Sequence, residues 1–166
     1  MDVNKDAIFS VCGKYRYAIS RTWDAAKPYA LFIGLNPSYA DAELDDPTLK
    51  RCISFAQSWG FGGVRIANLF AYVCTDRFEM MRFPEPVGAD NDKYLAELIA
   101  GAGIVVAAWG NEGRHLKRSA LVRALLPVDT KCFKINATGE PMHPLYVHGD
   151  TKLIPFLMPD NAVVGC

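Results

Sequence analysis

The sequence predicts an α/β fold, a three-layer α/β/α sandwich with a central, mostly parallel four-stranded sheet. Short apolar runs ended by Gly and Pro indicate buried strands, and amphipathic segments indicate helices between them. Regular alternation of the two is typical of a mostly parallel sheet with helices on both faces. At this length we expect a single domain over residues 1–166, with residues 1–28 as an N-terminal edge-strand extension.

The first central strand is predicted at residues 29–35, where an apolar run ends in Gly34-Leu35-Asn36-Pro37-Ser38. A helix is predicted over 47–59, because Pro47 suits a first turn and Asp46 accepts the free N–H groups there. Asn36 then lies just past the carboxyl end of a parallel strand. In open α/β sheets that edge is where ligands bind.

The second strand is predicted at residues 64–71 and carries Asn68 near its end. Asn is disfavoured inside strands, and a buried amide must find partners. Asn68 therefore either ties a loop or reads a ligand, since its amide offers a donor and an acceptor side by side. Residues 72–90 are rich in Pro and Gly and are predicted to form a long irregular loop, often a functional feature.

The third strand is predicted at residues 104–109, whose continuous apolar run suits a strand buried on both faces. A helix beginning near Asp90 precedes it. The fourth strand, residues 131–135, leads into a loop that holds two prolines and His143. Three loops should meet at one edge of the sheet: 36–46, 68–76 and 138–146.

A further helix is predicted from Asn111 to about Leu126. Its periodicity turns three apolar side chains inward: Leu121, Val122 and Leu125. Three basic side chains then form an outer face: Arg114, Lys117 and Arg118. Such a face is usually only solvated.

Residues 14–21 alternate well enough for a strand that carries Arg16 on one face. One interpretation is an edge strand of the main sheet. The other is that Arg16 and Arg21 contact phosphate.

Composition favours an ordinary globular protein, with 51% hydrophobic and 22% charged residues and with 18 basic and 18 acidic side chains. Neutral overall charge gives no sign of nucleic-acid binding. The five cysteines are scattered without a C-x-x-C pair, which argues for a reducing compartment and against a zinc site. The N-terminus does not read as a signal peptide, and no apolar run approaches about 18 residues. We expect a cytoplasmic protein with no membrane contact, no metal and no cofactor.

The sequence contains no G-x-G-x-x-G, P-loop, H-E-x-x-H or G-x-S-x-G motif. It does place Asn36 and Asn68 at the ends of neighbouring strands and His143 in a Pro-braced loop. That set suits cleavage of an N-glycosidic bond. The reaction needs a polar group to hold water, an amide to read the base edge, and a donor to stabilise the departing base.

Four segments, in order, resemble mismatch-specific uracil/thymine-DNA glycosylases. Gly34-Leu35-Asn36-Pro37-Ser38 is similar to their G-I-N-P-G motif, and Asn68-Leu69-Phe70 is similar to a strand end of the same superfamily. Trp109-Gly110 stands where those enzymes have a strand ending in G-K. His143-Pro144-Leu145 resembles the start of their H-P-S-P-L loop. The resemblance implies a uracil-DNA-glycosylase-like fold over roughly residues 29–150.

The resemblance also implies residue roles. Asn36 would position water, Asn68 would read the base edge, His143 would stabilise the leaving base, and Leu145 would be a wedge in the base stack. Asp46 is a catalytic candidate because a carboxylate near the site is a stronger base than Asn36. The remaining substrate-binding candidates are Gly34, Pro37, Ser38, Tyr39, Phe70 and Gly110. Ser38 replaces a Gly of the motif, and Tyr39 rather than Phe is the stacking ring.

Over its whole length, the chain is similar to a bacterial and phage family of unknown function. The signature comprises Asn36-Pro37-Ser38-x-Ala40-Asp41, Asp46-Pro47-Thr48, Asn68-Leu69-Phe70-Ala71-Tyr72, Asp90-Asn91-Asp92, Ala108-Trp109-Gly110 and His143-Pro144-Leu145-Tyr146.

Taken together, these patterns predict a hydrolase that cleaves the N-glycosidic bond of a modified or mismatched pyrimidine. The expected partner is DNA or a nucleotide ligand. One alternative is a non-catalytic nucleotide or nucleic-acid binding module. Another is an enzyme that acts on free nucleotides, which the neutral charge suits better. The oligomeric state stays open.

Overall fold

A computed structural model describes residues 2–39 and 41–157, so Ala40 of the signature and Cys166 lie outside the described residues. Within that part of the chain, seven strands form one sheet: β1 (Asn4–Phe9), β2 (Arg16–Thr22), β3 (Tyr29–Gly34), β4 (Gly63–Asn68), β5 (Ile104–Ala107), β6 (Lys131–Cys132) and β7 (Ile154–Pro155). The α-helices are α1 (Pro47–Ser58), α2 (Arg77–Arg82), α3 (Asn91–Gly101) and α4 (Arg118–Arg123), with 3₁₀ helices at Asn111–Lys117 and Pro144–Tyr146.

The strand order in the sheet is β1-β2-β4-β3-β5-β6-β7. Strand β3 pairs in parallel with β4 and β5, and β5 pairs in parallel with β6. The outer pairings, β1 with β2, β2 with β4, and β6 with β7, are antiparallel. The sheet is therefore mixed and seven-stranded, which corrects the prediction of a mostly parallel four-stranded sheet. The four strands that the sequence predicted form the block in its middle.

Alternate residues of the central strands pack into two separate apolar clusters. Leu31 and Ile33 of β3 join one cluster with Leu95 of α3 and Val122 of α4. Ala30 and Phe32 of β3 join another with Leu49, Phe55 and other side chains of α1. Because successive side chains of a strand point to opposite faces, helices cover both faces of the sheet and give three layers.

The N-terminal segment forms a hairpin in which β1, not β2, is the outermost strand. The predicted edge strand at residues 14–21 therefore lies inside the sheet, paired on both sides. Ile8 pairs with Ala18 and Phe9 pairs with Arg16, so Tyr17 is an extra residue, a β-bulge in β2. The bulge turns Arg16 to the same face of the sheet as Ile19.

Helix α1 begins as predicted. Asp46 has extended backbone and its Oδ1 accepts a hydrogen bond from the Leu49 N–H at 2.8 Å, while Pro47 occupies the first turn. The helix stops at Trp59 and is followed by Gly60, whose φ of +83° favours glycine. Trp59 stacks on Phe32 of β3, and this contact fixes the end of the helix on the sheet. No helix in the described residues is long and apolar enough to cross a membrane.

Candidate functional site

The loops that follow β3, β4 and β5 meet the 136–147 loop at one edge of the sheet and enclose a pocket of about 510 Å³. Most of the sequence-predicted site residues line it: Gly34, Asn36, Pro37, Ser38, Asp46, Asn68, Gly110, His143 and Leu145. This is the edge at which ligands bind in α/β sheets. Residues from distant parts of the chain converge there because parallel strands present their carboxyl ends to the same side.

Asn36 is held by its amide nitrogen. Nδ2 donates to the Cys74 carbonyl at 2.7 Å and to the Pro37 carbonyl at 3.2 Å. Both amide hydrogens are therefore engaged by backbone, and the side-chain oxygen Oδ1 has no donor among the described residues. Asn36 is thus oriented as a hydrogen-bond acceptor in the pocket.

Asn68 is 3% exposed, and its side chain lines the pocket at the end of β4. Its Nδ2 has no acceptor in the described parts of the chain. An unsatisfied buried donor is costly, and Asn68 belongs to the pocket wall, so this amide is a candidate partner for a ligand's acceptor. Gly34 makes room for it, since a Cβ at that position would lie 2.9 Å from the Asn68 Oδ1.

Two buried side chains fix the backbone that carries Asn68. Asn91, at the start of α3, donates from Nδ2 to the carbonyls of Asn68 at 2.9 Å and Leu69 at 3.1 Å. Arg118 donates from Nε to the Leu69 carbonyl at 2.8 Å and forms an ion pair with Asp92. The end of β4 is therefore held from the α3 and α4 side of the sheet, leaving the Asn68 side chain directed to the pocket.

Asp46 lies at the junction of the 36–46 loop and α1. One carboxylate oxygen, Oδ1, caps the helix through the Leu49 N–H, and Asp46 also lines the pocket. No described residue donates to the other oxygen, Oδ2. The structure therefore combines the helix-cap role with a position from which a carboxylate oxygen can accept a proton.

His143 precedes the short 3₁₀ helix of the last pocket loop, and its Nδ1 accepts a hydrogen bond from the Leu145 N–H at 3.2 Å. In the neutral ring the proton then lies on Nε2, which becomes a donor. Burial lowers the pKa of His143, with nearby Asp46 acting to raise it and Arg77 to lower it. The neutral form is favoured at physiological pH.

The other predicted residues shape the pocket through the backbone. Pro37 is buried, and its carbonyl accepts a hydrogen bond from the Cys74 N–H at 2.9 Å. Gly110 has a φ of +80°, which favours glycine, and its N–H donates to the Pro141 carbonyl at 2.9 Å. Ser38 is half-buried in the wall, and Leu145 is 46% exposed at the rim.

Tyr39 and Phe70 do not line the pocket. Phe70 is fully buried among the apolar side chains on the α3 and α4 side, where its ring tilts against His115. It follows β4 by two residues, and the chain has already turned away there. The Tyr39 ring is 44% exposed, and only its carbonyl takes part, as an acceptor for Arg16. These two rings are not stacking platforms in this arrangement.

Among the residues with described positions, no group of three or more His, Cys, Asp or Glu side chains could hold a metal ion.

A family model for a protein of unknown function, DUF1643, matches residues 16–145. The chain belongs to the DUF1643 family. The sequence resemblance to a bacterial and phage family of unknown function agrees with this match. Comparison with curated proteins gave no match, and comparison with solved structures gave none. The DUF1643 match covers every pocket-lining residue except Tyr146.

Arg16, the first residue of the DUF1643 match, lines the pocket. The sequence offered it only in the alternative that Arg16 and Arg21 contact phosphate, and Arg21 does not line the pocket. It is 5% exposed, and its Nη1 donates to the Tyr39 carbonyl at 2.9 Å. Its Nε has no acceptor within the described residues. Burial lowers its pKa to about 10, against the raising effect of Asp46, and Arg21 lowers it further. The sequence showed an Arg in a strand, but the bulge that aims it had no visible signal.

Trp109 and Glu112 are further pocket residues of this DUF1643 chain that the prediction omitted. The Trp109 Nε1 donates to Glu140 Oε2 at 2.6 Å, and the buried Glu140 is also bound by Ser119 and Arg123. This network fixes the 136–147 loop against β5. Glu112 pairs with Arg77 at 3.5 Å across the pocket rim. A lone Trp after an apolar run is more often core, so its pattern did not indicate a site.

Proposed function

We propose that this protein hydrolyses the N-glycosidic bond of a modified or mismatched pyrimidine nucleotide, as a uracil-DNA-glycosylase-like enzyme. The observation that carries the proposal is the buried, unpartnered Asn68 amide, which shares its pocket with Asn36 and His143. The ordered resemblance of the segments around these three residues to mismatch-specific uracil/thymine-DNA glycosylases supports it further.

Hydrolysis adds water across the bond between the sugar C1′ and the base nitrogen. The water oxygen bonds to C1′, the electron pair of the broken bond goes to the base, and a proton leaves the water. The Asn36 Oδ1, fixed by the two bonds of its Nδ2, accepts a hydrogen bond from that water. Asp46 Oδ2 is the oxygen that receives the proton, since a carboxylate is a far stronger base than an amide.

The departing pyrimidine gains negative charge on its ring and carbonyl oxygens. A neutral His143 carries its proton on Nε2 and donates a hydrogen bond from that nitrogen to the charged base. The lowered pKa of His143 supports this role. Asn68 offers a donor and an acceptor to the edge of the base, which suits the alternating groups of a pyrimidine.

The test is base release, measured by chromatography and mass spectrometry. Substrates are single- and double-stranded oligonucleotides with uracil, thymine opposite guanine, or hydroxymethylated and other modified pyrimidines, together with the matching free nucleotides. Wild-type protein should release one base from this panel. Asn36→Ala and His143→Ala should each lower the rate by about 10²- to 10⁴-fold, the range for positioned polar groups.

His148→Ala is the matched control, because His148 is exposed and outside the pocket. Its rate should equal that of wild type. If no substrate in the panel loses its base, hydrolysis is wrong. Heat stabilisation by a pyrimidine nucleotide without turnover would then identify a binding module.

A further inference from the structure

Arg16 occupies an unusual position for a strand residue. It begins β2 next to the end of β4, and its N–H donates to the Ala71 carbonyl at 2.9 Å just beyond that strand. The extra residue Tyr17 turns its side chain to the pocket face rather than to the face that Ala18 shares with α3. β-bulges re-aim side chains beside binding sites. The fold thus carries a guanidinium to the same edge as Asn36 and Asn68.

A comparison with Arg21 in the same strand isolates what is unusual. Arg21 is fully buried, pairs with Asp45 at 2.8 Å, and donates to the Ser20 and Leu44 carbonyls. Arg16 is nearly as buried, yet no carboxylate in the described residues lies within the 4 Å of an ion pair. Asp46 acts on it only from a longer distance. Buried charges in proteins are paired, so the missing partner of Arg16 is expected to come from outside the chain.

We propose that Arg16 binds the phosphate of a mononucleotide that enters the pocket whole, so that the substrate is a free pyrimidine nucleotide. The base and sugar part of this assignment rests on the proposed function. The planar, forked guanidinium suits two phosphate oxygens. A pocket of about 510 Å³ is within the usual size for a small-molecule ligand.

Among the described residues, two arginines line the pocket, Arg16 and Arg77. Arg77 at the rim pairs with Glu112, and Arg123 pairs with Glu140. The Arg114 Nε donates to the Asn111 carbonyl. A DNA-binding face needs several unpaired cations along the surface, because each phosphate contact adds to affinity. Arg16 is a cation without an ion-pair partner among the described residues, and it is buried in the pocket rather than placed on an open surface.

The test compares ligand pairs that differ only in the phosphate. Calorimetry measures affinities of the pyrimidine nucleoside 5′-monophosphates and of the matching nucleosides. Wild type should bind at least one nucleotide about 10- to 100-fold more tightly than its nucleoside, as expected for a charge-assisted bond. Arg16→Met should remove that ratio and leave nucleoside affinity unchanged. Arg16→Lys should retain part of it.

Arg65→Met is the matched control. Arg65 is half-buried on β4, also has an unpartnered Nε among the described residues, and stacks on the Tyr29 ring outside the pocket. Its loss removes one positive charge from the same sheet, and the nucleotide-to-nucleoside ratio should not change. If Arg16→Met does not fold, the wild-type ratio and the Arg16→Lys variant decide.

The outcomes separate this inference from the proposed function. Equal wild-type affinity for nucleotide and nucleoside overturns the phosphate site. Base release from oligonucleotides, without binding or turnover of free nucleotides, overturns it too but supports glycosidic hydrolysis. Arg16-dependent nucleotide binding without base release supports the phosphate site and contradicts the proposed hydrolysis of the glycosidic bond. Inorganic phosphate should compete with the nucleotide in wild type and not in Arg16→Met.

Discussion

Asn68 ends β4, and Asn91 contacts the backbone there. The two side-chain amides differ in their hydrogen bonds. The Asn91 Nδ2 has two backbone acceptors, and the Asn68 Nδ2 has none among the described residues. Asn91→Ala should cost about 1–3 kcal/mol of unfolding free energy, since it strips partners from buried carbonyls. Asn68→Ala should change that free energy by less than about 1 kcal/mol and should abolish binding of the pyrimidine nucleoside 5′-monophosphates. Urea unfolding and calorimetry measure the two effects.

Equal destabilisation by the two substitutions would contradict this assignment, because it would mean that Asn68 ties a loop. Asn68→Asp adds a check on polarity. It replaces the donor by an acceptor of the same shape, so the variant that remains folded should not bind the ligand. A buried carboxylate without a partner also lowers the urea midpoint.

His143 makes stability depend on pH. Its pKa in the folded protein lies below the ordinary value of 6.5, because burial disfavours the charged ring. Below about pH 6.5 the unfolded chain binds a proton that the folded chain does not, so the free energy of unfolding falls as pH falls. Above that pH both states are neutral, and His143 contributes no slope.

His143→Gln should therefore lose less stability than wild type between about pH 7.5 and pH 5.5, as measured by urea midpoints. His148→Gln is the matched control, because that ring is exposed. A wild-type slope in His143→Gln would show that the ring is not buried in its neutral form.

The sequence was sufficient to predict that Asn36, Asn68 and His143 lie near one edge of the sheet, for a physical reason. Asn36 follows β3, Asn68 ends β4, and His143 lies in the loop that leaves β6. These three strands are parallel, and parallel strands end at a common edge. It could not place Phe70, because a ring just after a strand belongs to the core or to the site depending on where the chain turns. It could not place Arg16 either, because bulges depend on the partner strand rather than on local composition.

At the scale of single elements, the residue that caps α1 is also a residue of the pocket wall. Asp46 caps the helix with one oxygen and lines the pocket. Asp46→Ala should cost about 0.5–2 kcal/mol of stability, while Asp46→Ser should keep most of it because a hydroxyl caps nearly as well. Both should lose base release if the carboxylate takes the proton. Full activity in Asp46→Ser would leave Asp46 as a cap alone.

The segment from Asn111 to Leu126 differs most from its prediction. A 3₁₀ helix covers Asn111–Lys117, and α4 starts only at Arg118. Leu116 and Lys117 have φ values of +54° and +56° and break the helix between the two parts. The break resets the helical phase, so Leu121 and Leu125 are exposed while the basic Arg118 is buried.

A tertiary contact explains that reversal. The Arg118 guanidinium donates to the Leu69 carbonyl and pairs with Asp92, and these contacts hold the side chain inside the fold. Periodicity assumes one uninterrupted helix and assigns basic residues to solvent. A buried arginine that holds a backbone carbonyl leaves no mark in the local pattern.

Across the whole molecule, the middle of the sheet was predictable and its ends were not. The central strands can be recognised in the sequence as apolar runs, because both of their faces are covered by helices. Strand β1 is exposed at alternate positions, and β7 has only two residues. Such strands form because an adjacent strand offers backbone hydrogen bonds, and their own sequences resemble those of loops. Helices on both faces followed from the alternation of elements.

The bulge in β2 means that the number of residues between Arg16 and Ala18, and not residue identity alone, decides which face of the sheet Arg16 occupies. Deletion of Tyr17 would give a regular ladder and leave Arg16 opposite Phe9 on the pocket face, because neighbouring residues of a strand point to opposite faces. A strand that kept all three residues without a bulge would turn Arg16 to the face of Ala18. An alignment that matches side chains alone would therefore not show whether the residue at position 16 faces the pocket.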